Sequence, residues 1–313
     1  MKQIILKSLQ LFLYSIIAYI VLCGILTLVH VNGRTAASWA TSYMHGTGDH
    51  EYCTFKDLDT STTRYDYIAL GSSHAMHGYD PRIFRKSGYT LFNFGSSNQH
   101  SKISYMLAKY YLDLPEKPIF LIDVYHAVFQ GEVLESNFRF MANIPDPAAA
   151  FSLVRSDPDL RLFNAFATRL FRNEKKPNTG CYSYVENGYC QNTDTISNSL
   201  APYDPAPSIN EERIAMLDKL LSLLESRNCR YILVAHPMTK AEGFAGVHQH
   251  FIKSLQPVID KHNAVFIDQT LETYLNDKEH FYNQTHMNQA GVELYNARLI
   301  PLLKETGFVP KEK

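Results

Sequence analysis

Two short motifs hold side chains whose types and spacing suit chemistry at a single site. Gly71-Ser72-Ser73-His74 follows the apolar run YDYIAL, and Asn283-Gln284-Thr285-His286 precedes a helical stretch near the C-terminus. A serine leaving a strand end emerges beyond the sheet, where the N–H groups of the following turn can face a developing oxyanion. His286 lies three residues after Asn283, so on a tight turn both side chains can point the same way. Asn283 would then bond one ring nitrogen and leave the other for a serine, the arrangement of nucleophile, base and orienter. Each half alone also has a bland reading, because Ser, Gly and His are ordinary turn residues and a loop histidine before a helix is often solvated.

The elements that must position these residues follow from the pattern of apolar runs. YDYIALGSS, TLFNFGSS, KPIFLIDVYHAVF, CRYILVAHP and AVFIDQT read as short buried strands. Between and after them lie KISYMLAKYYLDL, INEERIAMLDKLLSLLESRN, the segment around HQHFIKSLQPVIDKHN, and NQAGVELYNARLIPLLKE, with apolar residues at helical spacing. This alternation predicts an α/β fold, a parallel sheet covered by helices on both faces, with the ligand site beyond the carboxyl ends of the strands. Residues 131–207 break the rhythm. They are rich in Pro, Asn, Asp and Ser around one helical piece, DLRLFNAFATRLFRN. A connection this long reads either as an insertion forming a lid or partner surface, or as a decorative one.

The N-terminus has a different character. Leu11 to Val29 carries no charge and spans about 29 Å as a helix, close to the ~30 Å hydrocarbon core of a bilayer. Lys2 and Lys7 precede it, which places the N-terminus in the cytoplasm and the remainder outside, at the periplasmic face or cell surface. A cleaved signal peptide is the competing reading, with RTAASWA following the apolar run. The expected layout is thus an anchor over 1–33, a linker over 34–63, a domain over 64–305 interrupted by 131–207, and a tail over 306–313. Taking Lys2 and Lys7 from the 30 basic groups leaves 28 against 31 acidic ones. So nearly neutral a body offers no footprint for nucleic acid.

Several other residues are candidates for the pocket: His74 and His77 beside Ser73, Tyr125 and His126 at the third strand end, and His236 at the fourth. Cys181 and Cys190 flank CYSYVENGYC, a loop that a disulfide can close in an oxidising compartment; two reduced thiols are the alternative. Metal binding is not expected, because there is no CxxC pair and His248 and His250 do not share a helix face. Asn283-Gln284-Thr285 is formally a glycosylation sequon, and a glycan there would block the site.

GSSH after the first strand, Gly95 in FNFGSS after the second, and N-x-x-H before the last helix together resemble the SGNH (GDSL-type) hydrolase superfamily. The closest branch in pattern is the anchored one related to DltD of teichoic-acid D-alanylation and to the alginate O-acetylation proteins. The resemblance spans roughly residues 64–130 and 208–305 and implies a three-layer α/β/α sandwich of SGNH, flavodoxin-like type. It implies Ser73 as nucleophile, His286 as base and then acid, and the N–H groups of Ser73 and Gly95 in the oxyanion hole. No cofactor is implied. Two positions depart from the family. The residue three before the histidine is usually Asp, and that exchange to Asn costs about 10⁴ in turnover in chymotrypsin-type enzymes. The Asn expected after the third strand is replaced by IDVYHAVFQ.

The resemblance leads to an anchored, extracytoplasmic serine acyltransferase or esterase passing an acyl group, in all expectation acetyl, to an envelope or exported polysaccharide. A multi-pass membrane O-acyltransferase would be its partner and a glycan its acceptor. Two other readings stand beside it: a carbohydrate or lipid esterase, and an inactive scaffold that binds a glycan or a membrane partner.

Overall fold

The computed structural model describes residues 1–31, 34–36, 50–60, 64–112, 114, 116–131, 134–169, 183–197, 199–202 and 208–310. The chain divides into two compact units, one of residues 1–52 with 137–180 and one of 53–136 with 181–313. Of the expected insertion 131–207, residues 137–180 group with the N-terminus, while 131–136 and 181–207 belong to the α/β body.

In the first unit, α1 (Lys2–Leu28) is a continuous helix long and apolar enough to cross a membrane. It is followed by α2 (His50–Thr60), which runs into the second unit. The strand β1 (Tyr67–Leu70) opens the sheet of that second unit and is followed by α3 (Ser73–Gly78), α4 (Pro81–Lys86), β2 (Leu91–Asn93) and α5 (Ser101–Tyr111). Next come β3 (Ile119–Asp123) and a 3₁₀ turn at His126–Phe129. The chain then passes through α6 (Glu135–Asn143), α7 (Pro147–Ser156) and α8 (Leu160–Arg169). It returns as α9 (Glu211–Ser226), β4 (Tyr231–Ala235), α10 (Phe244–His262), β5 (Phe266–Asp268), the short α11 (Asp277–His280) and α12 (Gln289–Glu305).

The sheet is parallel throughout, in the order β2-β1-β3-β4-β5. Alternation along each strand sorts the side chains to two faces. Tyr67, Ala69, Ile119, Leu121, Ile232 and Val234 join one core with Phe84 of α4 and Val292, Tyr295 and Leu299 of α12. The intervening residues Ile68, Phe120 and Leu233 are equally buried on the face where α5, α9 and α10 pack together. The result is the three-layer α/β/α sandwich that the alternation of runs predicts. The third strand is shorter than its apolar run: the chain leaves the sheet at Asp123, and HAVF tightens into the 3₁₀ turn instead.

Strand order reverses direction at β1, so the chain ends leaving β1 and β3 diverge and open a crevice, the usual ligand position in such sheets. Gly71 makes that point possible. Its φ is +154°, and a Cβ on it would sit 2.4 Å from the Cβ of Asp123. Only a glycine allows the first strand's exit to close against the third. Gly71→Ala is expected to lower stability by roughly 2–3 kcal/mol through the combined strain and overlap, read as a lowered urea midpoint of the detergent-solubilised chain with an unchanged slope.

Candidate active site

Ser73 is the first residue of α3. Ser72 caps that helix, its Oγ accepting the N–H of His74 at 3.2 Å. A first-turn N–H has no acceptor within its own helix, so the Ser73 N–H is available to an oxyanion forming at its side chain. The loop after β2 braces the turn from the side: Ser96 N–H donates to the Gly71 carbonyl at 3.1 Å. Asn93 Nδ2 donates to the carbonyls of Ala75 at 2.6 Å and Tyr79 at 3.0 Å.

At the other end of the chain, a bridge between Phe281 and Met287 closes a tight loop. Within it the Asn283 side-chain oxygen accepts backbone N–H bonds from Thr285 and His286, both at 2.9 Å. Backbone N–H groups can only donate, so they fix which end of the amide faces inward. The same oxygen lies 3.0 Å from His286 Nδ1, and the Thr285 hydroxyl lies 2.8 Å from that nitrogen. Thr285 Oγ1 in turn donates to Asn283 Oδ1 at 3.3 Å. Nδ1 therefore carries the proton, and Nε2 is left as an acceptor. It faces Ser73 Oγ at 2.6 Å, which makes the serine the donor and the imidazole its base. Tyr282 stacks on the His286 ring at 5.4 Å, and Asn288 caps α12 by accepting the Gly291 N–H at 3.1 Å, so the loop is held on both sides.

The structure adds a group that the motifs do not announce. Asp123, at the end of β3, accepts the Ser72 N–H at 3.3 Å and the Ser72 hydroxyl at 3.0 Å on Oδ2. Its Oδ1 accepts His236 Nδ1–H at 2.6 Å. This buried carboxylate therefore ties the turn carrying Ser73 to the ends of both β3 and β4. Donor atoms of His74, Asp123 and His236 lie within 4.8 Å of one another. Both carboxylate oxygens are already taken by hydrogen bonds, so the group is arranged as a positioning device rather than as a cation cage. Among the described residues, the Nε2 atoms of His74 and His236 have no hydrogen-bond partner.

The remaining sequence candidates separate into two small cavities. His74, His77, His236 and His286 line one, together with Thr285 and Met287. Tyr125 and His126 line its neighbour with His74, His236 and His248. His74 stacks on Tyr125 at 3.9 Å and meets the His286 ring edge-on at 4.8 Å. His77 Nδ1 donates to the Cys190 carbonyl at 2.8 Å, which brings the 183–191 loop to the edge of the site. His248 bonds Asp268 at 2.7 Å, whereas His250 is exposed on the other side of α10.

Two expectations are corrected. The Gly95 N–H is given to Asn93 Oδ1 at 2.9 Å, so it is not aimed at an oxyanion. Gly95 serves close approach instead: a Cβ there would lie 2.4 Å from the Met76 nitrogen. The Cys181–Cys190 bridge is not made either. Cys190 is a buried thiol, and Cys53 is the residue that is disulfide-bonded; Cys181 lies outside the described residues. Thr285 and Asp123 were legible only in part. Thr285 sits inside the quoted N-x-x-H motif, and Asp123 is the charged residue ending an apolar strand at the switch point.

No family model matches the chain, and no curated protein does. Solved structures of similar outline include a lipolytic protein of the G-D-S-L family from Desulfitobacterium hafniense, at 11% identity and a TM-score of 0.41, covering 77% of this chain and 100% of that one. A lipase/acylhydrolase from Enterococcus faecalis is similar at 12% identity and a TM-score of 0.37, covering 79% and 99%. A carbohydrate acetylesterase from Sinorhizobium meliloti is similar at 9% identity and a TM-score of 0.39, covering 77% and 99%. At these values no residue role or activity passes from those proteins to this chain; the roles rest on the geometry above.

Burial and mutual repulsion keep His74, His126 and His286 neutral. Burial, then His77 and His236, push His286 down to about 3. Burial, then His248, push His126 down to about 4, and His74 is held well below the usual histidine range by burial and four neighbouring histidines. In the unfolded chain these groups take up protons near pH 6.5. Below that pH the unfolded state binds protons that the folded state refuses, so stability is complete above about 6.5 and falls as pH drops toward the folded values. At pH 5 the expected loss is roughly 2 kcal/mol for each of His286 and His126, to be read from urea midpoints at pH 7.5 and 5; a flat profile would contradict neutral burial.

Proposed function

We propose that the chain is a serine acyl-handling enzyme that moves a short acyl group, acetyl by preference, through an ester on Ser73. The observation that carries this is the 2.6 Å contact of Ser73 Oγ with His286 Nε2, in a loop whose hydrogen bonds leave that nitrogen as the acceptor. Ser73 Oγ attacks the acyl carbonyl as its proton passes to Nε2, and the oxyanion forms beside the Ser73 N–H. Collapse expels the first alcohol, which takes the proton back from His286. A second hydroxyl, from a sugar or water, then gives its proton to Nε2 and attacks the Ser73 ester, releasing the acyl product and restoring the serine.

The finer part of the reading is an anchored enzyme outside the membrane that transfers the acyl group to an envelope polysaccharide beside a membrane O-acyltransferase. It is supported by the apolar α1 and by the motif resemblance. Hydrolysis of carbohydrate or lipid esters is the same chemistry with water as acceptor. Asn283 is the one feature favouring a slow or silent site, because an amide orients the imidazole without offsetting the charge it gains.

The decisive experiment is labelling of the full-length chain in detergent with a fluorophosphonate probe, alongside turnover of p-nitrophenyl acetate. Ser73→Ala and His286→Ala are each expected to lose labelling and at least 10³-fold in rate; unlabelled wild type would refute an activated serine. A base held neutral to about pH 3 also predicts no acidic limb between pH 8 and 5. Asn283→Asp should raise turnover tenfold or more and bring an acidic limb into that range, because a carboxylate stabilises the imidazolium.

A further inference from the structure

The helix α1 has two parts. Residues 1–18 are exposed throughout; from Tyr19 on, one side is covered, with Cys23 only 4% exposed, while Val21, Leu22, Ile25 and Leu28 on the other side stay exposed. What covers it is α8, from the segment that interrupts the α/β rhythm. Phe163 stacks on the Tyr19 ring at 5.7 Å, and the Tyr19 hydroxyl donates to the Asn164 side-chain oxygen. The bare stretch from Lys2 to Ala18 measures about 26 Å at ~1.5 Å per residue, nearly the ~30 Å of a hydrocarbon core. Lys7 lies within one and a half turns of its end, close enough for its ammonium to reach the headgroups.

The pair α7 and α8 therefore sits where α1 would leave the acyl chains. Its outer side is apolar where a soluble surface would be polar: Leu160 is 73% exposed, Phe151 46% and Phe163 38%. Phe151 of α7 packs on Phe166 of α8 at 5.5 Å, which joins the two helices. Exposed Arg155 lies on α7, where a lipid phosphate would meet it, while Arg161 on α8 is held by Asp159 at 2.8 Å.

We propose that the α7–α8 pair is a second membrane element, lying in the outer interface of the bilayer with Phe151, Leu160 and Phe163 among the tops of the acyl chains. The bilayer then covers α1 from Lys2 to about Tyr19, and the last turns of the helix stand above it. This shifts the span toward the N-terminus from the uncharged 11–29 run. The proposal rests on α1 being a bilayer span, and the test separates the two.

The full-length chain with Trp39→Phe carries no other tryptophan. It is reconstituted into phosphatidylcholine vesicles brominated either near the headgroup or near the chain ends, with one new tryptophan at a time. Leu160→Trp and Phe163→Trp are expected to be quenched severalfold more by shallow bromines than by deep ones, and to be shielded from aqueous iodide. Phe12→Trp should be quenched by deep bromines, and Ile25→Trp only weakly by either. Quenching at position 12 with none at 160 and 163 overturns the proposal and leaves the anchor standing. Deep quenching at position 25 restores the 11–29 register and also overturns it. No quenching at position 12 removes the anchor itself, and the proposal with it.

Discussion

Hydrogen bonds from Thr285 and His286 converge on the side-chain oxygen of Asn283, and the rest of the site depends on them. Two come from backbone N–H groups that cannot reverse their sense, so the amide cannot turn over without breaking both. That fixes the oxygen toward Nδ1 of His286, which fixes the tautomer and makes Nε2 the acceptor that a serine proton needs. A carboxylate at this position would accept the same bonds with a negative charge added. Asn283 thus keeps the geometry of a triad and gives up part of its electrostatics. In a pocket where burial and other histidines already resist protonation, that is the main cost.

Ser73, the proposed nucleophile, is positioned from the opposite direction. Ser73 begins α3 because the chain turns sharply at Gly71, and Asp123 grips the turn by the Ser72 backbone and hydroxyl. His236 completes the carboxylate's bonding from β4. Three neighbouring strands therefore hold one turn, and small errors in their register would be felt at the serine. A site set on strand ends and short bonded turns keeps its donors aligned without reorganising as the reaction proceeds.

Much of this was legible in the sequence. Buried parallel strands are near-continuous apolar runs, so YDYIAL, KPIFLID and CRYILVA stand out, and the amphipathic helices between them give the sandwich. Ser73 and His286 were visible because strand ends and the loop before the last helix are where such folds place reactive groups. The Asp123–His236 pair was not, since it depends on which strands become neighbours rather than on local spacing. Gly95 misled because a glycine beside a catalytic turn can give its N–H to an oxyanion or clear space for a backbone, and the choice belongs to Asn93. The cysteines misled for the same reason: Cys190 is near Cys181 in sequence, while long-range packing decides which thiol is bonded. In the 131–207 segment, composition marked an interruption without revealing that part of it associates with the N-terminal helix.

Ser73 and His286 lie 213 residues apart, the first opening the helix that follows the sheet's first strand and the second just before the closing helix. The hydroxyl is thus made early and stays an ordinary alcohol while most of the chain is synthesised. It gains a partner only when the last helix docks and the loop before it closes. A truncated, stalled or half-folded chain carries an inert serine. On the proposed role of Ser73, reactivity is a property of the finished molecule, and the order of the elements along the polypeptide works as a built-in delay against premature chemistry.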